Sequence, residues 1–216
     1  GYPLGWGASG VTTMLGRVLT SDPSASAALL ARRLVREAGA RDGHSARDDI
    51  SSVVIYYRSP RRLLVASGPP FDPARDAELV ARVSGFNGRR IVAGGTTGTI
   101  VARGLGTNPT VEMRARDPEI PPWARMEGVD LVTEGIITMA RVAELLEDPD
   151  ARARSLTNAA TLFHDHLIGA DEIEFLVGTR INQAHQDPRI PAQFELRRTI
   201  VERIAALLRS HHLKDV

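Results

Sequence analysis

The chain has 216 residues with 27 Lys or Arg against 26 Asp or Glu, a net charge of +1 that gives no electrostatic case for a nucleic-acid or acidic-membrane surface. Its 43% hydrophobic and 25% charged residues are the proportions of a soluble globular protein with one sizeable core or two small ones. It has no cysteine, hence no disulfide or thiolate metal site, and no apolar run near the roughly 20 residues that span a bilayer; a cytoplasmic protein is expected.

The chain opens "GYPLGWGASG", without a Met and without the basic start and apolar middle of a signal peptide. Three glycines and a proline in seven residues read as a loop, so a fragment lacking an N-terminal part is expected. Ser24 to Ala38 predicts an amphipathic helix, with Leu30, Leu34 and Val35 at helical spacing and Ser24 as N-cap. A polar loop follows, and Ile50 to Tyr57, rich in β-branched and aromatic residues, predicts a strand. The charged "RSPRR" around Pro60 marks a boundary, giving two domains, 1–60 and 61–216.

Beyond the boundary one pattern recurs four times: a short apolar run, a small or Gly-containing turn, then a helix. The units begin at "LLVASGPP", "RRIVAGGTTG", "GVDLVTEG" and "DEIEFLVGTRINQAH". Asp72 and Pro73 supply a cap and a first position for the first helix. Successive βα units predict an α/β domain: a mostly parallel sheet of about four strands with helices on both faces. Arg114 to Gly128, with three prolines, reads as an extended loop; Asp150 to Gly169 reads as one helix joining the third and fourth units. The last helix carries Phe194, Ile200, Ile204 and Leu207 or Leu208 as its apolar stripe.

In an open parallel sheet, ligands sit outside the carboxyl ends of the strands. Those ends are "SGPP", "GGTTG", "TEG" and "GTRINQ", which makes Gly68, Gly94, Gly95, Thr96, Thr97, Gly98, Glu134, Gly135, Gly178, Thr179, Arg180 and Asn182 the candidate ligand-binding residues. Gly94 and Gly95 permit positive φ and close approach of a ligand. The amides of Thr96, Thr97 and Gly98 are expected as unpaired donors at a helix start, which favour a small phosphate or carboxylate. "GGTTG" is neither a P-loop nor a dinucleotide fingerprint, and a tight Thr-capped turn is the competing reading. Arg180 could fork onto an anion or pair with Asp187. Glu134 could be a general base, a metal ligand or, the favoured reading, a carboxylate at a helix start. His164 and His166, at i and i+2, make a poor chelate on a helix and are read as solvated.

One further stretch carries a different signal. "SASAALLARRLVREAGARDGHSARDDISSVVIYY" runs helix, polar loop, Asp48-Asp49, apolar strand. Adjacent carboxylates at a strand start can bind a hard divalent cation. This order resembles the end of a type 2C metal-dependent protein serine/threonine phosphatase, in the branch like sporulation stage II protein E, and "GYPLGWG" resembles the loop after an earlier metal-site segment. The resemblance covers about the first 58 residues. The later stretches "LLVASGPPFDPARD", "IVAGGTTG", "GVDLVTEGI" and "GTRINQAHQDPRIP" resemble the C-terminal region of proteins in that branch. It implies that residues 1–60 are a helix–strand remnant of an α+β phosphatase domain. It further implies a binuclear Mn²⁺ or Mg²⁺ centre whose bridging water attacks a phosphoserine or phosphothreonine of a phosphoprotein substrate. Asp48 would be a metal ligand and Asp49 its supporting neighbour. The only nearby Asp-Gly, Asp42-Gly43, lies in the wrong loop for the other metal-binding acids, so no complete metal site is expected in this chain. Two further readings stand beside this one: a stand-alone module for a small anionic ligand without catalysis, and a structural or homo-dimerisation domain whose Gly-rich turns are only turns.

Overall fold

The computed structural model describes residues 6–23, 25–43, 48–113, 117–179 and 190–216, and the chain divides into two units, Gly1–Ser59 and Pro60–Val216. In the first unit, helices α1 (Gly7–Ser21) and α2 (Ala27–Arg41) bury Val18, Ala25 and Leu30 against Met14, Leu15, Leu19, Leu29 and Val54. The start of α2 is fixed by Ser26, whose side chain accepts from the Leu29 amide at 3.2 Å; the expected cap, Ser24, lies outside the described residues. Helix α1 was not anticipated, although Val11, Met14, Leu15 and Val18 recur at helical spacing behind the opening glycines. The strand expected at Ile50–Tyr57 does not form. That segment has no ladder, because no other strand exists among the described residues of its unit to supply backbone partners. The expected helix–strand remnant is instead a helix pair followed by an unpaired apolar segment.

The second unit is α/β with helices on both faces. Its sheet has six strands, not about four, and is mixed: β3 (Thr110–Val111), β4 (Ala124–Met126), β5 (Val129–Thr133), β2 (Arg89–Ala93), β1 (Arg62–Ser67) and β6 (Glu172–Val177), in that spatial order. The four strands β5, β2, β1 and β6 are mutually parallel; β3 and β4 add an antiparallel margin. Strand β4 arises inside the stretch read as a loop, where Glu127-Gly128, with Gly128 at φ +80°, turns the chain back into β5.

Alternate strand residues face opposite layers. Leu63, Val65, Ile91 and Leu131 pack with Met139, Val142 and Leu146 of α5 (Ile136–Glu147), Phe163 of α7 (Ala159–Gly169), and Ile200, Ile204 and Leu208 of α8 (Ile190–His212). Leu64, Ala66, Val92 and Val132 pack with Leu79 and Val83 of α3 (Asp76–Ser84) and Val101 of α4 (Gly95–Leu105). Burial on both faces explains why these strands read as continuous apolar runs. The side chain of Phe194 lies outside the described residues.

The helix expected over Asp150–Gly169 is two helices, α6 (Pro149–Arg154) and α7. The break comes from a reciprocal cap: Asn158 accepts from the Thr161 amide, and Thr161 accepts from the Asn158 amide, each at 2.9 Å. The helix after β1 starts as expected at Asp72, which accepts from the Ala74 amide at 2.9 Å, but its first turn is a 3₁₀ turn, Pro73–Arg75.

The order of strands sets the site. The chain steps from β1 through α3 to β2 and then into α4, both helices on one face, before β3 and β4 lead into β5. Helices α5 to α7 then carry it back across the other face to β6, beside β1. The gap between β1 and β6 is therefore where the connections diverge to opposite faces, the place where open α/β sheets accommodate ligands.

Candidate functional site at the carboxyl edge of the sheet

Ser67 is level with both Ala93 and Val177, and Ala93 is level with Thr133, so the ends of the four parallel strands form one row. The four predicted turns leave from that row and pack in pairs. The Gly178 amide donates to Ser67 O at 2.8 Å, and the Gly94 amide donates to Thr133 O at 2.9 Å. A Cβ placed on Gly135 would lie 3.6 Å from Gly94 Cα, and one placed on Gly68 would lie 2.9 Å from Gly178 O.

Within "GGTTG" the roles divide differently from expectation. Gly94 has φ +132° and needs to be glycine. Gly95 is the first residue of α4, with open space where a side chain would go, so neither positive φ nor close approach applies to it. The Gly98 amide is not a free donor: it bonds Gly94 O at 2.8 Å, because the helix already begins at Gly95 and position 98 is the first to find a carbonyl four residues back. Thr96 is exposed, whereas Thr97 is buried with its Oγ1 3.3 Å from the Cβ position of Gly94. Glu134 is exposed and its Oε2 accepts from the Ile137 amide at 3.2 Å, closing the first turn of α5, which begins after the buried Gly135. Thr179 is exposed beside Gly178; Arg180 and Asn182, with Asp187, lie outside the described residues.

Arg197 of α8 is absent from the sequence expectations. Its Nη1 sits 2.8 Å, and its Cζ 3.1 Å, from the Cβ position of Gly68, which has φ +83°. The missing side chain at Gly68 is what admits the guanidinium. Burial lowers the Arg197 pKa from its ordinary value and the Glu134 carboxylate opposes that shift, so Arg197 is a partly desolvated cation facing Glu134 across the edge. It has no ion pair among the described residues, and its Nε is buried without a hydrogen-bond partner. Ser67 Oγ, Thr97 Oγ1 and Thr138 Oγ1 are also buried and unpartnered, on side chains at most 1% exposed. The signal for Arg197 was present: it precedes Ile200 by three and Ile204 by seven, on the stripe that faces the core.

A cleft of about 190 Å³ opens on the α3 side of the β1/β6 gap, lined by Gly68, Pro70, Phe71, Leu79, Leu176 and Gly178 among others. Two cations on its wall are already paired, Arg75 with Glu78 at 2.8 Å and Arg82 with Glu174.

The metal expectation fares differently. Asp48 and Asp49 are exposed, and Asp48 Oδ1 accepts from the Asp49 amide at 2.8 Å. Among the described residues, no group of three or more His, Cys, Asp or Glu could hold a metal ion. One exposed carboxylate pair does not fit a binuclear centre, which needs further carboxylates. His164 is buried, not solvated: α7 is enclosed on this side, and the ring meets Asp165 Oδ1 at 3.1 Å. Burial raises the Asp165 pKa, but the Arg152 fork and the His164 ring outweigh that and hold it at about 2. No described helix is long and apolar enough to cross a membrane. Comparisons with protein-family models, curated proteins and solved structures return no match for this chain.

Proposed function

We propose that Pro60–Val216 is a ligand-binding, regulatory domain that takes a small phosphate- or carboxylate-bearing molecule at the carboxyl edge of its sheet. The observation that carries this reading is Arg197: a partly buried guanidinium seated on Gly68, with no ion pair among the described residues, at the turn that follows Ser67, whose buried Oγ has no hydrogen-bond partner. A buried polar group left unpaired costs about 1–3 kcal/mol, and such breaches of local consistency concentrate at functional sites. A guanidinium offers a planar fork of donors matched to carboxylate and phosphate oxygens. At a ligand concentration of a hundred Kd, binding stabilises by about 2.7 kcal/mol, a rise of roughly 5–10 °C in Tm for a domain of this size. Phosphate, methylphosphonate or acetate should give that rise, and Arg197→Met should remove it. Unchanged melting across all three anions would refute the reading.

We further propose that the chain is part of a cytoplasmic, metal-dependent protein serine/threonine phosphatase that this domain regulates. The support is the order in the first unit: α2, a polar loop, Asp48-Asp49, then an apolar segment that has no ladder. Since the described residues do not fit a binuclear centre, other carboxylates of the natural protein would have to complete it. The test is Mn²⁺-dependent hydrolysis of p-nitrophenyl phosphate. The natural protein containing this chain should show it, and Asp48→Ala should weaken Mn²⁺ affinity about 10- to 100-fold or more. Hydrolysis that is indifferent to Asp48→Ala would remove Asp48 from the centre, and no hydrolysis at all would remove the phosphatase reading.

A further inference from the structure

We infer that the ligand of the α/β domain is bipartite: an anionic head on Arg197 and an apolar, planar body in the cleft beside Phe71. This rests on reading the carboxyl edge as an anion site, and adds the chemical class of what is attached to the anion.

Gly68 joins the two subsites. On the α8 side its empty Cβ position holds the Arg197 guanidinium; on the α3 side the same residue lines the cleft. The two subsites therefore adjoin across one turn, at the gap where the chain connections part to opposite faces. The cleft does not itself call for an anion, because Arg75 and Arg82 are paired with Glu78 and Glu174. What it leaves unsatisfied is apolar: Phe71 is 73% exposed at its mouth, with Pro70, Leu79 and Leu176 on the wall. An exposed aromatic ring above an apolar wall favours stacking of a second ring. At about 190 Å³ the cleft is small against the usual range for drug-sized ligands, so it suits one ring system and not an extended chain. The class is thus a small aryl or heteroaryl acid or phosphoester.

Methylphosphonate and phenylphosphonate share a head and differ only in the body, and neither is hydrolysed at its carbon–phosphorus bond by a phosphatase. Calorimetric titration of the chain should show phenylphosphonate binding at least tenfold more tightly. Phe71→Ser, at an exposed position that leaves the core untouched, should erase that margin and leave methylphosphonate affinity unchanged. Arg197→Met should weaken both, with circular dichroism confirming the fold of each variant. Equal affinity for the two probes would overturn the bipartite ligand and leave the anion site standing. A phenyl preference that survives Phe71→Ser would place the ring elsewhere and overturn it as well. Absence of binding by either probe would bring down the anion site and this inference together.

Discussion

Gly68→Ala is the perturbation that separates the proposed architecture from a set of ordinary turns. At φ +83° a Cβ is strained by roughly 1–2 kcal/mol. The new methyl would lie 2.9 Å from Gly178 O, a backbone atom held by the Gly178 amide bond to Ser67 O, so the seam between the two turns must open. Overpacking of that kind costs about 1–3 kcal/mol. The shorter contact, 2.8 Å to Arg197 Nη1, is with the end of a flexible side chain, which can move aside at little cost in stability. The expected loss is therefore about 2–5 kcal/mol, almost none of it from Arg197, while anion affinity falls at least tenfold because the guanidinium has lost its seat. Urea unfolding in a Trp6→Phe background gives the stability: Trp123, which packs against the α/β core, is then the sole tryptophan probe. Gly95→Ala is the matched control, since its Cβ meets nothing within 4 Å; it should leave stability unchanged or raise it by up to about 1 kcal/mol. A Gly68→Ala chain that stays within about 0.5 kcal/mol of the parent and keeps its anion affinity would refute the seam and the seating of Arg197.

Two histidines set a pH dependence. Burial lowers the pKa of His166, helped by Arg89, and burial lowers that of His212 against the pull of its contact with Leu146 O. Their folded values lie below the ordinary 6.5, so their share of stability is present above about pH 6.5 and is lost as pH falls through the folded values. The melting temperature should drop between pH 7.5 and 5, and His166→Gln should shallow that slope; a Tm that rises on acidification would contradict the sign. Ile204→Ala, at a fully buried point of α8 facing α5, should cost about 2–5 kcal/mol by urea denaturation.

The parallel core was legible because burial on both faces leaves its mark as unbroken apolar runs: "LLVAS", "RIVA" and "DLVT" each ended in a recognisable turn. The margin was not. Thr110–Val111 and Ala124–Met126 are two and three residues long, too short for a period to declare itself. Ile50–Tyr57 shows the opposite failure. Its composition is that of a strand, yet Val53, Ile55 and Tyr57 are 88%, 91% and 99% exposed, since a strand is a property of a pair and its unit offers no partner among the described residues. At the site, the turns could be read locally, and helical spacing put Arg197 on the buried stripe, but local pattern did not show which turn it would meet. It meets Gly68 across 129 residues of chain, and a charged residue on a helix is ordinarily assigned to solvent even when, as here, its spacing puts it on the buried stripe.

The described side chains of the edge bear on the choice between the binding proposal and a catalytic one. A catalytic edge needs a side chain poised to take or give a proton at a substrate atom. Glu134, the carboxylate nearest to that role, has one oxygen on the Ile137 amide and its charge toward Arg197. It holds the start of α5 and, without forming an ion pair, its charge opposes the lowering of the Arg197 pKa, so that charge acts against an incoming anion. The hydroxyls of Ser67, Thr97 and Thr138 are closed to solvent and have no hydrogen-bond partner among the described residues. Under the proposed reading, Arg197 on the Gly68–Gly178 seam is the cation that an anion would meet. Glu134→Gln should accordingly tighten methylphosphonate binding by removing a nearby negative charge, and unchanged affinity in calorimetric titration would show that Glu134 does not act on an anion held by Arg197.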